Sequence, residues 1–182
     1  TALASSMTAP QPKHPARPVG MTMLVACCVV GLGMLTLFFD GLLDRRQNPN
    51  RSPDSQLGAD GSINVMLQRN PQGHYVVNGY IEGEEAIFLL DTGATDVVLP
   101  EELAVAAGLE RGYPTRAATA NGDLIVYSAI IDQLQIADIT LTGVRASINP
   151  AMHGNTVLLG MSALRHIEFT QRGNTLTLRY LP

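Results

Sequence analysis

The chain holds 182 residues, 46% apolar and only 15% charged, which excludes a wholly disordered polymer. Its net charge of −4, with one lysine among twelve basic residues, offers no electrostatic footprint for nucleic acid. The two cysteines, Cys27 and Cys28, are adjacent, so no disulfide scaffold is encoded.

Residues 1–18 carry Pro10, Pro12, Pro15 and Pro18 and read as a disordered tail. Residues 19–39, VGMTMLVACCVVGLGMLTLFF, hold no charged side chain. At about 1.5 Å per residue they just exceed a hydrocarbon layer of about 30 Å, which predicts one membrane-crossing helix. A cleaved leader would have a shorter apolar region and a small-residue cleavage site, and no such site follows. Lys13 and Arg17 precede the run, and Arg45, Arg46 and Arg51 follow it, so basic residues do not choose an orientation. Cys27 and Gly31 have the small-xxx-small spacing found at paired membrane helices, and equally on lipid-facing ones. Residues 40–62, with Asn48, Pro49, Asn50 and Pro53 and little apolar content, read as a flexible tether.

Residues 63–182 form the expected folded domain, with seven Arg against twelve Asp or Glu, a net charge of −5. Strands are predicted at Ile63–Gln68, His74–Ile81, Ala86–Leu90, Leu124–Ile131, Leu134–Ile136, Ile139–Ile148, Val157–Leu159 and Thr175–Tyr180. Glu82-Gly83-Glu84 reads as a hairpin turn, and Glu82, Glu84 and Glu85 as its solvated tip. One helix is predicted over Pro100–Ala107: proline suits the first turn, Glu101 and Glu102 the positive dipole end, and Gly108 the position after the last turn. A short helix is expected over Met161–His166. Many short strands with Gly-rich turns predict an all-β fold, a small barrel or sandwich.

The chemistry concentrates in Phe88-Leu89-Leu90-Asp91-Thr92-Gly93-Ala94-Thr95-Asp96-Val97-Val98-Leu99-Pro100. An apolar strand ends abruptly in a carboxylate, a hydroxyl and a glycine, and apolar residues then resume. Asp91 offers an acid or base, Thr92 a donor and acceptor, and Gly93 close access for a ligand backbone. The tripeptide alone is a weak signal, since Asp and Gly after a strand are usually a turn. Thr119-Ala120-Asn121-Gly122 follows between strand-like stretches, and Asn-Gly is a strong hairpin signal. Then comes Val157-Leu158-Leu159-Gly160-Met161-Ser162-Ala163-Leu164, whose Leu158-Leu159-Gly160 echoes Leu89-Leu90-Asp91.

Those three elements, in that order, resemble the retropepsin-like aspartic proteases, and with the apolar helix they resemble that family's single-pass, membrane-anchored bacterial branch. The resemblance implies a small closed β-barrel of the acid protease type with one or two short helices. It also implies peptide or protein substrates, no cofactor and no metal. Asp91, Thr92 and Gly93 would be catalytic. Ala94, Thr95, Asp96, Ala120, Asn121 and Gly122 would bind substrate, the last two at the tip of a flap. The family's chemistry needs two carboxyl groups sharing one proton. Only one copy of the motif is present, since Asp60-Gly61-Ser62 lacks the flanking pattern. A homodimer is therefore expected, with one Asp91 from each chain and Thr92 bonding across the two-fold axis. The resemblance also implies a bacterial inner membrane with the domain in the periplasm.

This chain departs from viral members at two points. Thr95 stands where they have Asp, and Met161-Ser162 where they have Arg-Asn, which bears on dimer contacts. The alternative is therefore a protease-like fold kept as a catalytically weak or inactive envelope binding or scaffolding module. Other chemistries find little support. Gly160-Met161-Ser162 lacks the second glycine of a nucleophile elbow. His14, His74, His153 and His166 have no zinc-ligand spacing, and His166 reads as a surface partner of Glu168. Met152 and Met161 read as packing residues.

Overall fold

The computed structural model describes residues 16–119 and 122–182. It divides into two compact units, one ending at Leu42 and the other spanning Leu43–Pro182. The first unit is helical. Helix α1 covers Ala16–Gln47, and within it Gly20–Phe39 is long and apolar enough to cross a membrane. Past the expected end at residue 39 nothing forbids helix until Pro49, which disfavours helical geometry at Asn48.

The second unit is mostly strand. In chain order it contains β1 (Ser55–Leu57), β2 (Ile63–Gln68), β3 (Val76–Ile81), β4 (Glu84–Leu90), β5 (Val97–Pro100), helix α2 (Glu101–Ala106), β6 (Pro114–Thr119) and β7 (Gly122–Ile131). There follow β8 (Leu134–Ile136), β9 (Ile139–Leu141), β10 (Val144–Asn149), β11 (Thr156–Leu159), helix α3 (Met161–Leu164), β12 (Glu168–Arg172) and β13 (Thr175–Tyr180). Four strands form one sheet in the order β1-β2-β13-β12, and nine form another in the order β6-β7-β10-β5-β11-β4-β3-β8-β9. Neither order returns to its first strand, so the expected closed barrel is realised as two open sheets among the described residues. Their inner faces share one apolar core. Val65 and Leu67 of β2 and Leu178 of β13 are fully buried with Phe88, Leu99, Ile148 and Leu159 of the larger sheet.

The turn between β3 and β4 has two residues, Glu82 and Gly83, both at positive φ (50° and 87°), the geometry a right-twisted hairpin requires. Glu82 is more than a solvated tip. Its Oε1 accepts the backbone N–H groups of Asp132 at 2.6 Å and Gln133 at 3.0 Å, tying this turn to the one before β8. The stretch Ile139–Ile148 is two strands, broken at Thr142-Gly143, where Gly143 has φ 64°. Glu168 bonds Arg179 at 2.6 Å, while His166 meets Arg165.

Residues 48–62, read from composition as part of a tether, belong to the second unit. Asn50 is 5% exposed, and its side-chain amide serves as a spare strand rung. It donates to the carbonyls of Gln68 and Val76 at 2.9 and 2.7 Å and accepts the N–H of Gln68 at 2.7 Å. Asn48 donates to Asn78 Oδ1 at 2.6 Å and accepts the N–H of Asn50. β1 then pairs with β2 from Ser55↔Val65 to Leu57↔Ile63. Polar residues that look like linker chemistry here satisfy the open backbone groups of β2 and β3.

Candidate active site

The order of strands creates the site. β4 and β5 are consecutive in sequence, yet β11 lies between them, parallel to β4 and antiparallel to β5. The connection, residues 91–96, must therefore cross the C-terminal end of β11. The two echoing segments lie side by side, with Leu158 opposite Leu89 and Leu159 opposite Leu90. Gly160 consequently sits beneath the loop that begins at Asp91.

Close approach dictates a glycine there. A Cβ at Gly160 would fall 2.7 Å from the Ala94 carbonyl oxygen and closer still to that of Asp96. With no side chain in the way, the loop is fixed by backbone hydrogen bonds. Asp91 N–H donates to the Leu159 carbonyl at 3.2 Å, Met161 N–H to Ala94 at 2.8 Å and Ser162 N–H to Thr95 at 2.9 Å. The Asp91 carbonyl accepts Ala94 N–H at 3.2 Å, closing the turn.

Asp91 is half-buried, while Thr92 and Gly93 are exposed. Its Oδ1 accepts the Gly93 N–H at 2.9 Å, so the loop's own backbone orients the carboxylate. Ala94 is half-buried and Thr95 exposed. Asp96 is half-buried, and its Oδ1 lies 3.0 Å from Arg145 Nη2 of the same chain. On β4, Ile87 and Leu89 share the face on which Asp91 follows, because side chains alternate along a strand. These two, with Val76 and Thr156, line a cavity of about 410 Å³ that Arg51 and His74 also border. Sequence reasoning did not find this cavity; the period-two spacing back from Asp91 was the available signal.

The hairpin of β6 and β7 pairs continuously from Pro114↔Tyr127 to Thr119↔Gly122. Gly122 is exposed, with φ 109°. Ala120 and Asn121, expected at the flap tip, lie outside the described residues. The structure thus gathers Asp91 to Asp96 on one loop and carries Gly122 on a separate hairpin. Sequence reasoning missed the tie between Ser162 and this loop. Ser162 is 2% exposed, and its Oγ bonds Val97 and Arg145.

Residues 77–166 match the family described as gag-polyprotein putative aspartyl protease. A Sinorhizobium protein named only as an uncharacterised protein in the cobV 5′ region is 30% identical over 125 residues. That match covers 66% of this chain and 54% of the relative, so the chain spans about half that protein's length. Among solved structures, a retropepsin-like aspartic protease from Rickettsia conorii aligns with a TM-score of 0.57 at 24% identity. The alignment covers 71% of this chain and 96% of the other, a likeness of fold. With the family match running from β3 to just past α3, on that fold, the chain resembles the retropepsin-like aspartic proteases in both sequence and fold.

Proposed function

We propose that the protein is a membrane-anchored aspartic endopeptidase whose active centre is completed by two copies of the chain. One observation carries this reading: a single Asp-Thr-Gly loop, braced from below by Gly160–Ser162, presents one carboxylate beside an exposed Thr92 and Gly93. Two such loops related by a two-fold axis would bring the two Asp91 carboxyls together. Like charges a few ångströms apart cannot both ionise, so the pair holds one proton. The ionised Asp91 takes a proton from a bound water as its oxygen attacks the peptide carbonyl carbon. The protonated Asp91 gives its proton to the carbonyl oxygen. Collapse of the resulting diol returns that proton to a carboxyl, while the leaving nitrogen gains the proton first taken from water.

Thr92 would bond across the axis. Gly122, with Ala120 and Asn121, would cover a substrate bound as an extended strand. Ala94, Thr95 and Asp96 would line its path, and the apolar wall of Ile87 and Leu89 would receive a substrate side chain. Gly20–Phe39 would hold the enzyme in a bilayer. The related proteins named above come from bacteria, in keeping with a bacterial inner membrane, and the resemblance implies that the domain faces the periplasm.

A second reading, a protease-like module with weak or no turnover, draws on one feature. Asp96 and Ser162, at and near the positions where viral members carry dimer-contact residues, both have partners within their own chain. The test is cleavage of a peptide library by the full chain in detergent, wild type against Asp91→Asn, across pH. The enzyme reading predicts cleavage that disappears in the variant, together with Asp91-dependent binding of a statine-type transition-state mimic. Undiminished cleavage by the variant would refute it, and a folded wild type that neither cleaves nor binds the mimic would favour the module.

A further inference from the structure

The structure assigns to Ser162 the role of a positioning residue: its buried hydroxyl is a clamp that fixes the far end of the Asp91–Asp96 loop. β5 and β10 run parallel, with Val97 opposite Ala146. At the first rung of this ladder a side chain takes the Val97 N–H. Ser162 Oγ is inserted there, accepting that N–H at 2.9 Å and donating to the Arg145 carbonyl at 2.7 Å. A hydroxyl suits the place because it donates and accepts at one atom. Ser162 also gives its own N–H to Thr95 at 2.9 Å, so one residue holds both Thr95 and Val97.

Arg145 strengthens the arrangement from the other side. Its carbonyl takes the serine hydroxyl, and its guanidinium takes the Asp96 carboxylate at 3.0 Å. Ser162 and Arg145 together therefore engage Thr95, Asp96 and Val97 in succession. The near end of the loop is held by Asp91 N–H on Leu159. With both ends held, the only short path for residues 91–96 is over Gly160. Removing the hydroxyl leaves a buried N–H and a part-buried carbonyl without this partner, and the loop end must move to find others. The clamp rests on geometry alone, and its consequence for turnover rests on the protease reading above.

The test compares three full-length proteins in detergent: wild type, Ser162→Ala, and Ile136→Val as a control for general stability. Ile136 is fully buried on β8, away from the loop. Stability is measured by urea unfolding, and amide exchange is followed in the segment containing residues 91–97. The clamp predicts exchange there faster by about tenfold or more in Ser162→Ala, with no such rise in Ile136→Val. It also predicts a kcat lower by about tenfold or more with KM within about twofold, and a shifted pH profile, because the spacing of the two Asp91 carboxyls changes. Ser162→Cys keeps a weak donor and acceptor in similar volume and carries the same comparison if the alanine variant unfolds. Unchanged exchange at 91–97, or an equal rise in the control, overturns the clamp. A wild type that cleaves no peptide defeats the protease reading, while the exchange result still decides the clamp.

Discussion

Gly160 lies so close beneath the carbonyl oxygen of Asp96 that no side chain fits between them. The contact follows from topology: β11 runs between β4 and β5, and the loop joining those two must pass over its end. The three atoms that a Cβ would strike, the Asp96 carbonyl oxygen and carbon and the Ala94 carbonyl oxygen, belong to backbone and cannot swing aside. Gly160→Ala should therefore lift residues 94–96 and, with them, Asp91. The expected stability loss is about 1–3 kcal/mol by urea unfolding. A displacement on the order of 1 Å at a catalytic group can cost about 100-fold in rate, so cleavage should fall far more than stability does. Wild-type turnover in this variant would mean that the loop is not held as described.

Asn50 supplies a second prediction. Its side chain makes three hydrogen bonds to the backbone of β2 and β3, two donated and one accepted. Asn50→Ala leaves those groups without partners in a nearly buried place. The expected cost is about 2–4 kcal/mol. Limited proteolysis should then cut residues 48–62 well before the remainder of the domain. A variant as stable and as protease-resistant as wild type would show that this segment contributes nothing.

Asp60 gives a pH-dependent prediction. Its carboxyl is held well below the ordinary value of 3.8 by the Ser62 hydroxyl, with Arg179 and the Ser62 N–H adding to it. A carboxyl whose folded value is lowered stabilises the fold fully above its unfolded value and loses that contribution as pH falls below it. The difference in unfolding free energy between wild type and Asp60→Asn should be constant above about pH 5 and shrink below about pH 3.8. The mildly acid range that suits a shared-proton carboxyl pair thus lies where this contact is intact. Because Asp60, Arg179 and Glu168 are exposed, added salt should reduce the difference. A difference that grows on acidification would contradict the assignment.

Much of this architecture is legible in the residues themselves. β2, β8 and β13 match their expected limits because alternation and β-branched residues mark both ends. The Asp91–Asp96 loop stands out because carboxylate, hydroxyl and glycine interrupt an apolar run. β12 is illegible for a physical reason: Glu168–Arg172 is exposed throughout, so it has no inward-facing periodicity to read. The folded stretch at residues 48–57 hides behind linker chemistry, since Asn48 and Asn50 act through side-chain amides that composition cannot assign. The Ser162 bonds are hidden by distance, with partners 65 and 17 residues away in sequence. Only the insertion of β11 between β4 and β5 brings them together.

In the proposed enzyme two chains share one active centre, each giving one Asp91. The most direct measurement mixes wild-type chains with Asp91→Asn chains during co-expression and records peptide cleavage against wild-type fraction. Random pairing makes activity fall as the square of that fraction, so an equal mixture keeps about a quarter of full activity. Activity proportional to the wild-type fraction, about half at equal mixture, would mean that each chain works alone and would contradict the shared site.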